Sequence, residues 1–145
     1  MASLEDAGNE PAVNAETTFN VDERDQNQRT RLHYAALAND IASVKSLIEN
    51  KATVNVSDNM NHTPLHLAAK WGYSELMRLL IDAKANLDDQ DDSNMTALHY
   101  AVEGGHDAAL QVLIQAKANV DLNDTSNHSP LYVAILRGHE AAVQA

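Results

Sequence analysis

The chain contains no cysteine, and only three prolines and five glycines occur among its 145 residues. Without cysteine, disulfide bonds, thiolate catalysis and cysteine-based zinc sites are excluded. No apolar run approaches the roughly 18 residues that a membrane span needs. The N-terminus, MASLEDAGNE, is acidic and lacks the apolar segment of a secretory signal. We therefore expect an intracellular protein, cytoplasmic or nuclear, with no membrane span.

Positive charge is also scarce, because 10 Lys and Arg stand against 21 Asp and Glu, which gives a net charge of −11. This excess repels phosphates, so we expect no direct binding to nucleic acid and, if charge selects the partner, a basic one. Residues 1–24 hold six acidic side chains and a single basic one. Such a segment buries too little apolar surface to offset the entropy of ordering, which predicts an acidic, mobile N-terminal tail.

From Asp25 onward, one pattern returns every 33 residues. The blocks TRLHYAA, TPLHLAA, TALHYAV and SPLYVAI begin at Thr30, Thr63, Thr96 and Ser129. One unit of this size cannot bury its own apolar face, whereas stacked copies share a continuous core. The pattern predicts an all-α helical solenoid of helix-turn-helix units joined by hairpin-like loops. Its repeats span about 25–57, 58–90, 91–123 and an incomplete 124–145.

Each unit contains start and stop signals for two helices. A Thr or Ser hydroxyl is a good N-cap, and Pro64 and Pro130 follow at the first helical position, where a missing amide proton costs least. The first helix should end at a residue that tolerates left-handed backbone; these are Asn39, Gly72, Gly105 and Gly138. A second, amphipathic helix follows, as in YSELMRLLIDA of the second copy.

The 33-residue period, the phrase TPLHLAA with its near copies, the GH pairs and the KANLD and KANVD segments resemble the ankyrin repeat. The resemblance covers about residues 25–145. It implies a curved array whose concave side, made of hairpin tips and first-helix faces, binds other proteins. It also implies a module that is not an enzyme, with no catalytic residue and no cofactor.

Two departures from the ankyrin pattern predict backbone geometry. The usual glycine after the second helix is replaced by Lys51, Lys84 and Lys117. We expect positive φ at these lysines, at a cost of about 1 kcal/mol relative to glycine. The usual glycine at the hairpin tip is replaced by Asn61, Asn94 and Asn127, which also accept the left-handed region.

His62 and His66 are four residues apart, a spacing that can hold a metal on one helix face. His66, however, lies three residues after its Thr63 cap, where an imidazole can bond back to the cap. His62 precedes the cap, so we expect the two rings not to share a face and predict no metal site. For His106 and His139, which follow the interhelix glycines, we also expect a structural role. The acidic stretch 88–92 lacks the glycine and distal glutamate of a calcium loop.

The resemblance places the variable, partner-binding positions at the hairpin tips and near the ends of the first helices. The predicted partner-binding residues are Met60, His62, Lys70, Trp71, Asp92, Met95, Glu103, His128 and Arg137. Trp71, the only tryptophan, with Met60 and Met95 beside it, has the composition of an interface centre. The alternative is that Trp71 covers its own helix pair. The acidic run 88–92 either attracts a basic partner or is a solvated loop.

Two further expectations concern modification and context. Asn55 lies eight residues after Leu47, a spacing similar to that of ankyrin repeats modified by an asparaginyl hydroxylase. The second helix of the fourth repeat is cut short at residue 145, which indicates a fragment of a longer protein or an end covered by a partner. The favoured function is an adaptor that binds a protein; the alternative is a regulatory or substrate-targeting domain of a larger enzyme.

Overall fold

The computed structural model describes residues 20–138. Within that range the chain forms seven α-helices and no β-strand, which confirms the predicted all-α solenoid. The helices are α1 (Arg31–Leu37), α2 (Ile41–Glu49), α3 (Pro64–Trp71), α4 (Ser74–Asp82), α5 (Ala97–Glu103), α6 (Asp107–Gln115) and α7 (Pro130–Arg137). Most of the predicted tail, the end of the fourth repeat and His139 lie outside the described residues.

Each first helix begins at a hydroxyl cap, as predicted. The His66 amide donates to Thr63 Oγ1 at 3.2 Å, and the Thr63 amide donates to His66 Nδ1 at 3.1 Å. This reciprocal arrangement, a capping box, recurs at Thr30 and Thr96. The cap before α7 lacks the second bond because Tyr132 takes the place of the histidine. Each cap stabilises its helix by about 1 kcal/mol.

The left-handed positions are also found where the sequence predicts them. The φ angles of Lys51, Lys84 and Lys117 are 69°, 75° and 74°, which confirms that a lysine follows each second helix in this conformation. The other predicted positions are Asn61 (63°), Asn94 (59°), Asn127 (65°), Asn39 (53°), Gly72 (73°), Gly105 (67°) and Gly138 (69°). In the first repeat the hairpin tip has Gln28 at φ 61°, a position that the sequence did not indicate.

The core lies between successive repeats. Helix α1 packs on α3, α3 on α5 and α5 on α7, and the second helices α2, α4 and α6 also pack in series. The leucine two residues after each cap is buried at Leu32, Leu65 and Leu98. Burial of each of these side chains contributes about 1.5–3 kcal/mol. Contacts between repeats therefore add to the packing of the two helices within each repeat, as expected for a stacked array.

The capping histidines also bond the repeats to one another. His66 Nε2 donates to the Met95 carbonyl of the next repeat at 2.9 Å, and His33 and His99 make the equivalent bonds. Because Nδ1 accepts from the cap amide, the ring proton belongs on Nε2. Burial lowers the pKa of His33 and of His66, so these rings are held in the neutral form.

Candidate functional site

Trp71 is the last residue of α3, and 53% of the residue is exposed. Its counterparts in the neighbouring repeats are Ala38 and Gly104, both exposed, so no large side chain extends from either position to cover the indole. About half of the Trp71 surface is thus accessible, and the rest is covered by the protein. This exposure is what a contact residue needs, and its binding role stays a prediction.

A fixed hydrogen bond lies beside the indole. His106, in the third repeat, approaches the Lys70 carbonyl at the end of α3 with Nε2 at 3.0 Å. The ring of His106 fills the space between Gly72 and Gly104, since a Cβ at these glycines would lie 2.6 Å and 2.4 Å from imidazole atoms. A Cβ at Gly104 would therefore displace the His106 ring, and with glycine no side chain extends from this position toward Trp71.

The hairpin tips contribute an exposed methionine and a carboxylate. Met60 is exposed, and its carbonyl accepts a bond from the Asp92 amide of the next tip at 3.1 Å. The Asp92 carboxylate accepts a bond from Asn61 Nδ2 at 2.7 Å. Met95 is partly buried, and its carbonyl is occupied by His66. Of the two predicted thioethers, Met60 offers the larger accessible surface.

His62 lies mostly inside the array, with a side chain that is 17% exposed. Its Nε2 is 3.1 Å from Asp91 Oδ2 and 3.3 Å from the Tyr100 hydroxyl. Its buried Nδ1 has no hydrogen-bond partner and lies 3.7 Å from Asp58 Oδ2. The ring therefore joins the second repeat to the third and has little surface left for a partner.

The expectation that His62 and His66 do not share a face is wrong, because their ring centroids lie 6.0 Å apart. The loop before the cap turns back along the helix and brings the His62 ring alongside. Both nitrogens of His66 nevertheless have protein partners, namely the Thr63 cap and the Met95 carbonyl. The approach of the two rings therefore leaves no free nitrogen on His66.

A chain of polar contacts across three repeats was not predicted. Arg29 Nε lies 3.1 Å from Asp58 Oδ2, His62 joins Asp58 to Asp91, and the Tyr100 hydroxyl donates to Asp91. Arg29 and His62 share one register position, and each contacts the aspartate 29 residues later. That common offset between basic residue and aspartate could have indicated the link from sequence.

Opposing effects set the ionisation of the side chains in this row of polar contacts. Burial raises the pKa of Asp58, but the amide bonds from His62 and Met60 together with the bond from Arg29 lower it, and the net pKa is below the usual value. In Asp91, burial is likewise outweighed, chiefly by the Tyr100 hydroxyl, so the net pKa is again lowered. Burial and the bond to Asp91 raise the pKa of Tyr100. The two carboxylates are therefore charged at neutral pH and Tyr100 is protonated.

Three predicted residues lie toward the C-terminal side of the face. Glu103 and Arg137 are exposed at the last positions of α5 and α7. The His128 ring is partly buried, with its centroid 4.7 Å from that of Tyr132. Glu103 thus presents a carboxylate one repeat away from Trp71, whereas His128 is engaged with its own helix.

Side chains of the loops beyond the second helices are used in bonds between repeats. Asn55 Oδ1 accepts from the Asn86 amide at 2.6 Å, and Asn55 Nδ2 donates to the Lys84 carbonyl at 3.1 Å. One repeat later, Asp88 Oδ1 accepts from the Asn119 amide at 2.8 Å. The carboxylate in the acidic run and the amide of the predicted modification site thus have the same structural role.

Among residues 20–138, no group of three or more His, Asp or Glu side chains has the arrangement to hold a metal ion. No helix in this part of the chain is long and apolar enough to cross a membrane.

Comparison with protein families agrees with this geometry. The family model described as ankyrin repeats (3 copies) matches residues 2–91 and residues 79–145. The first match begins within the segment that we predict to be a tail, so the boundary at residue 24 stays a prediction. No curated protein matches the chain.

Proposed function

Since the chain belongs to the ankyrin-repeat family, we propose that it is an adaptor that binds a protein partner through the concave face of hairpin tips and first helices. Ankyrin repeats are in general protein–protein interaction modules. The observation that supports the face is Trp71, half-exposed between two small neighbours. Covering the exposed part of an indole with a partner contributes strongly to affinity.

The charge of the chain supports a basic partner. A net charge of −11 accelerates encounter with a positively charged protein and opposes contact with nucleic acid phosphates. Asp92 and Glu103 place carboxylates on the third repeat, which follows the repeat that carries Trp71. We assign no catalytic role to the polar residues of the face, because caps, turns and links between repeats account for the buried ones. The proposed adaptor acts inside the cell.

We also propose Asn55 as a hydroxylation site. Its side chain is exposed yet holds the backbone of the next repeat through two bonds, so an enzyme would reach it after local opening of that loop. Incubation with an asparaginyl hydroxylase should add one oxygen to the peptide that contains Asn55. If the peptide stays unmodified in the presence of active enzyme, Asn55 is not a hydroxylation site.

A capture experiment tests the adaptor proposal. The chain and its Trp71→Ala, Met60→Ala variant are used as baits in an extract of the source organism. A matched control, Val120→Ala, removes another exposed apolar side chain from outside the proposed face. Circular dichroism first establishes that all three fold alike. We expect a protein captured by the parent and the control and lost with the double variant; equal capture by all three would contradict the face.

A further inference from the structure

The indole of Trp71 already has a cation beside it. Lys70 Nζ lies 5.8 Å from the centroid of the Trp71 ring, which is near the outer limit of about 6 Å for a cation–π contact. Lys70 is exposed, so its ammonium is hydrated and can leave the ring at little cost. In the unbound protein the aromatic face of Trp71 therefore has a cation beside it, the Lys70 ammonium, and holds it weakly.

The position next to the indole is kept free of side chains. Gly104, the counterpart of Trp71 in the third repeat, cannot take a Cβ without displacing His106, whose Nε2 bonds the end of α3. Neighbouring packed helices lie roughly 8–10 Å apart. A side chain entering over Gly104 can thus lie against Trp71 without meeting another large group from that position.

A carboxylate is available one repeat away. Glu103 precedes Gly104 at the end of α5 and is exposed. The ion pairs within residues 20–138 join Arg29, His62, Asp58 and Asp91, so Glu103 takes part in none of them. An aromatic face, an open position and an unpaired carboxylate together suit a cationic side chain, and a planar guanidinium best, because it can stack on the ring and bond the carboxylate.

We propose that the partner inserts an arginine side chain over Gly104, where its guanidinium replaces Lys70 on the indole of Trp71 and pairs with Glu103. This rests on the proposed function and names the chemistry of the partner at that face. Lys70 repels the incoming cation as well as competing with it. Removing its charge should therefore strengthen binding, which is the opposite of the effect expected for an acidic partner.

Trp71 is the only tryptophan, so its fluorescence reports on this position alone. The probes are the peptide acetyl-Gly-Ser-Gly-Arg-Gly-Ser-Gly-amide and its analogues with norleucine or glutamate in place of arginine. We expect the arginine peptide to bind about two- to fivefold more tightly than the norleucine peptide, as a cation–π contact at an exposed site allows.

Three exposed substitutions complete the test. Lys70→Met should strengthen binding of the arginine peptide by roughly two- to fivefold because the internal cation is gone. Glu103→Gln should weaken it by roughly twofold. Glu75→Gln makes the same change of charge at an exposed position of α4 and should leave the affinity unaltered. Thermal melts followed by circular dichroism verify that each variant is folded.

The other outcomes overturn the inference. Tighter binding of the glutamate peptide, with weaker binding after Lys70→Met, would assign the face to an acidic partner. Equal affinity for norleucine and arginine would assign it to an apolar one, and a fluorescence signal that no peptide changes would exclude a small-ligand position at Trp71. In each of these cases the adaptor proposal is still judged separately, by the capture experiment with the Trp71 and Met60 variant.

Discussion

The second and fourth repeats place similar residues in one register but in different surroundings. Leu65 in the second repeat is 2% exposed, whereas its counterpart Leu131 in the fourth is 44% exposed. Ala69 is fully buried, whereas Ile135 at the same position is 58% exposed. Helix α5 covers Leu65 and Ala69, whereas within residues 20–138 no further first helix follows α7 to cover Leu131 and Ile135. The covering repeat, and not the residue type, decides whether these positions belong to a core.

The junctions between repeats also differ, because a polar side-chain link found at the first two junctions is missing at the third. Arg29 reaches Asp58 across the first junction, and His62 reaches Asp91 across the second. At the third junction the corresponding residue is Met95, which has no charged atom to offer Asp124. At this register position the described repeats are therefore linked by charged side chains up to the third repeat, whereas the third junction keeps the bond from His99 to the His128 carbonyl without such a pair.

The largest effect should come from truncating equivalent leucines. Leu65→Ala removes a buried side chain and should lower the free energy of unfolding by about 2–5 kcal/mol. Leu131→Ala removes an exposed one and should cost less than about 1 kcal/mol. Urea denaturation followed by circular dichroism measures both. Equal losses would show that something covers Leu131 in solution.

Glycine substitutions come next in size. Gly72 and Gly138 have nearly the same φ, 73° and 69°, so alanine should cost each about 1 kcal/mol from backbone strain. Only at Gly72 would the new Cβ meet His106, which adds about 1–3 kcal/mol. In a His106→Ala background, Gly72→Ala should lower the free energy of unfolding, measured by urea denaturation, only by the amount due to backbone strain. A loss that persists there would exclude His106 as its cause.

Acid should act on the first and second repeats through their capping histidines. Because the folded-state pKa values of His33 and His66 are lowered, the unfolded chain binds protons first as the pH falls below about 6.5. The stability they contribute is complete above that pH and is lost as the pH falls toward the folded-state values. Repeat four has Tyr132 at this position and should not contribute.

Urea denaturation between pH 7 and 5 measures this dependence. The His33→Gln, His66→Gln variant is the control, because glutamine can make the same two bonds without titrating in this range. We expect a flatter dependence of the unfolding free energy on pH in the variant. The same slope in both proteins would show that other groups cause the loss.

The smallest effect should come from adding the missing polar link. Met95→Arg gives the third junction the residue that Arg29 supplies at the first, and a pair with Asp124 should stabilise by about 0.2–1 kcal/mol. The gain should shrink in high salt, since such pairs are screened. Met95→Gln is the uncharged control. A gain of equal size in the control would point to packing and not to charge.

Most of the local structure could be predicted because it depends on residues close together in the chain. Thr63 and His66 form a capping box three residues apart, and Lys84 takes a left-handed conformation because a helix ends there. The repeat period then implied stacking. Of the candidate site, the exposure of Trp71 followed from its register position, whereas the roles of His62 and His106 did not follow from the residues around them.

What the sequence by itself determined about this protein is the period, the caps, the turns and the identity of the stacked unit, since each depends on short-range chemistry repeated four times. Tertiary structure alone decided which groups meet across a junction. His62 lies between Asp58 and Asp91, and His106 holds Gly104 open beside Trp71, because stacking brings residues about one repeat apart into contact. Such contacts depend on the fit between repeats, which no single repeat contains.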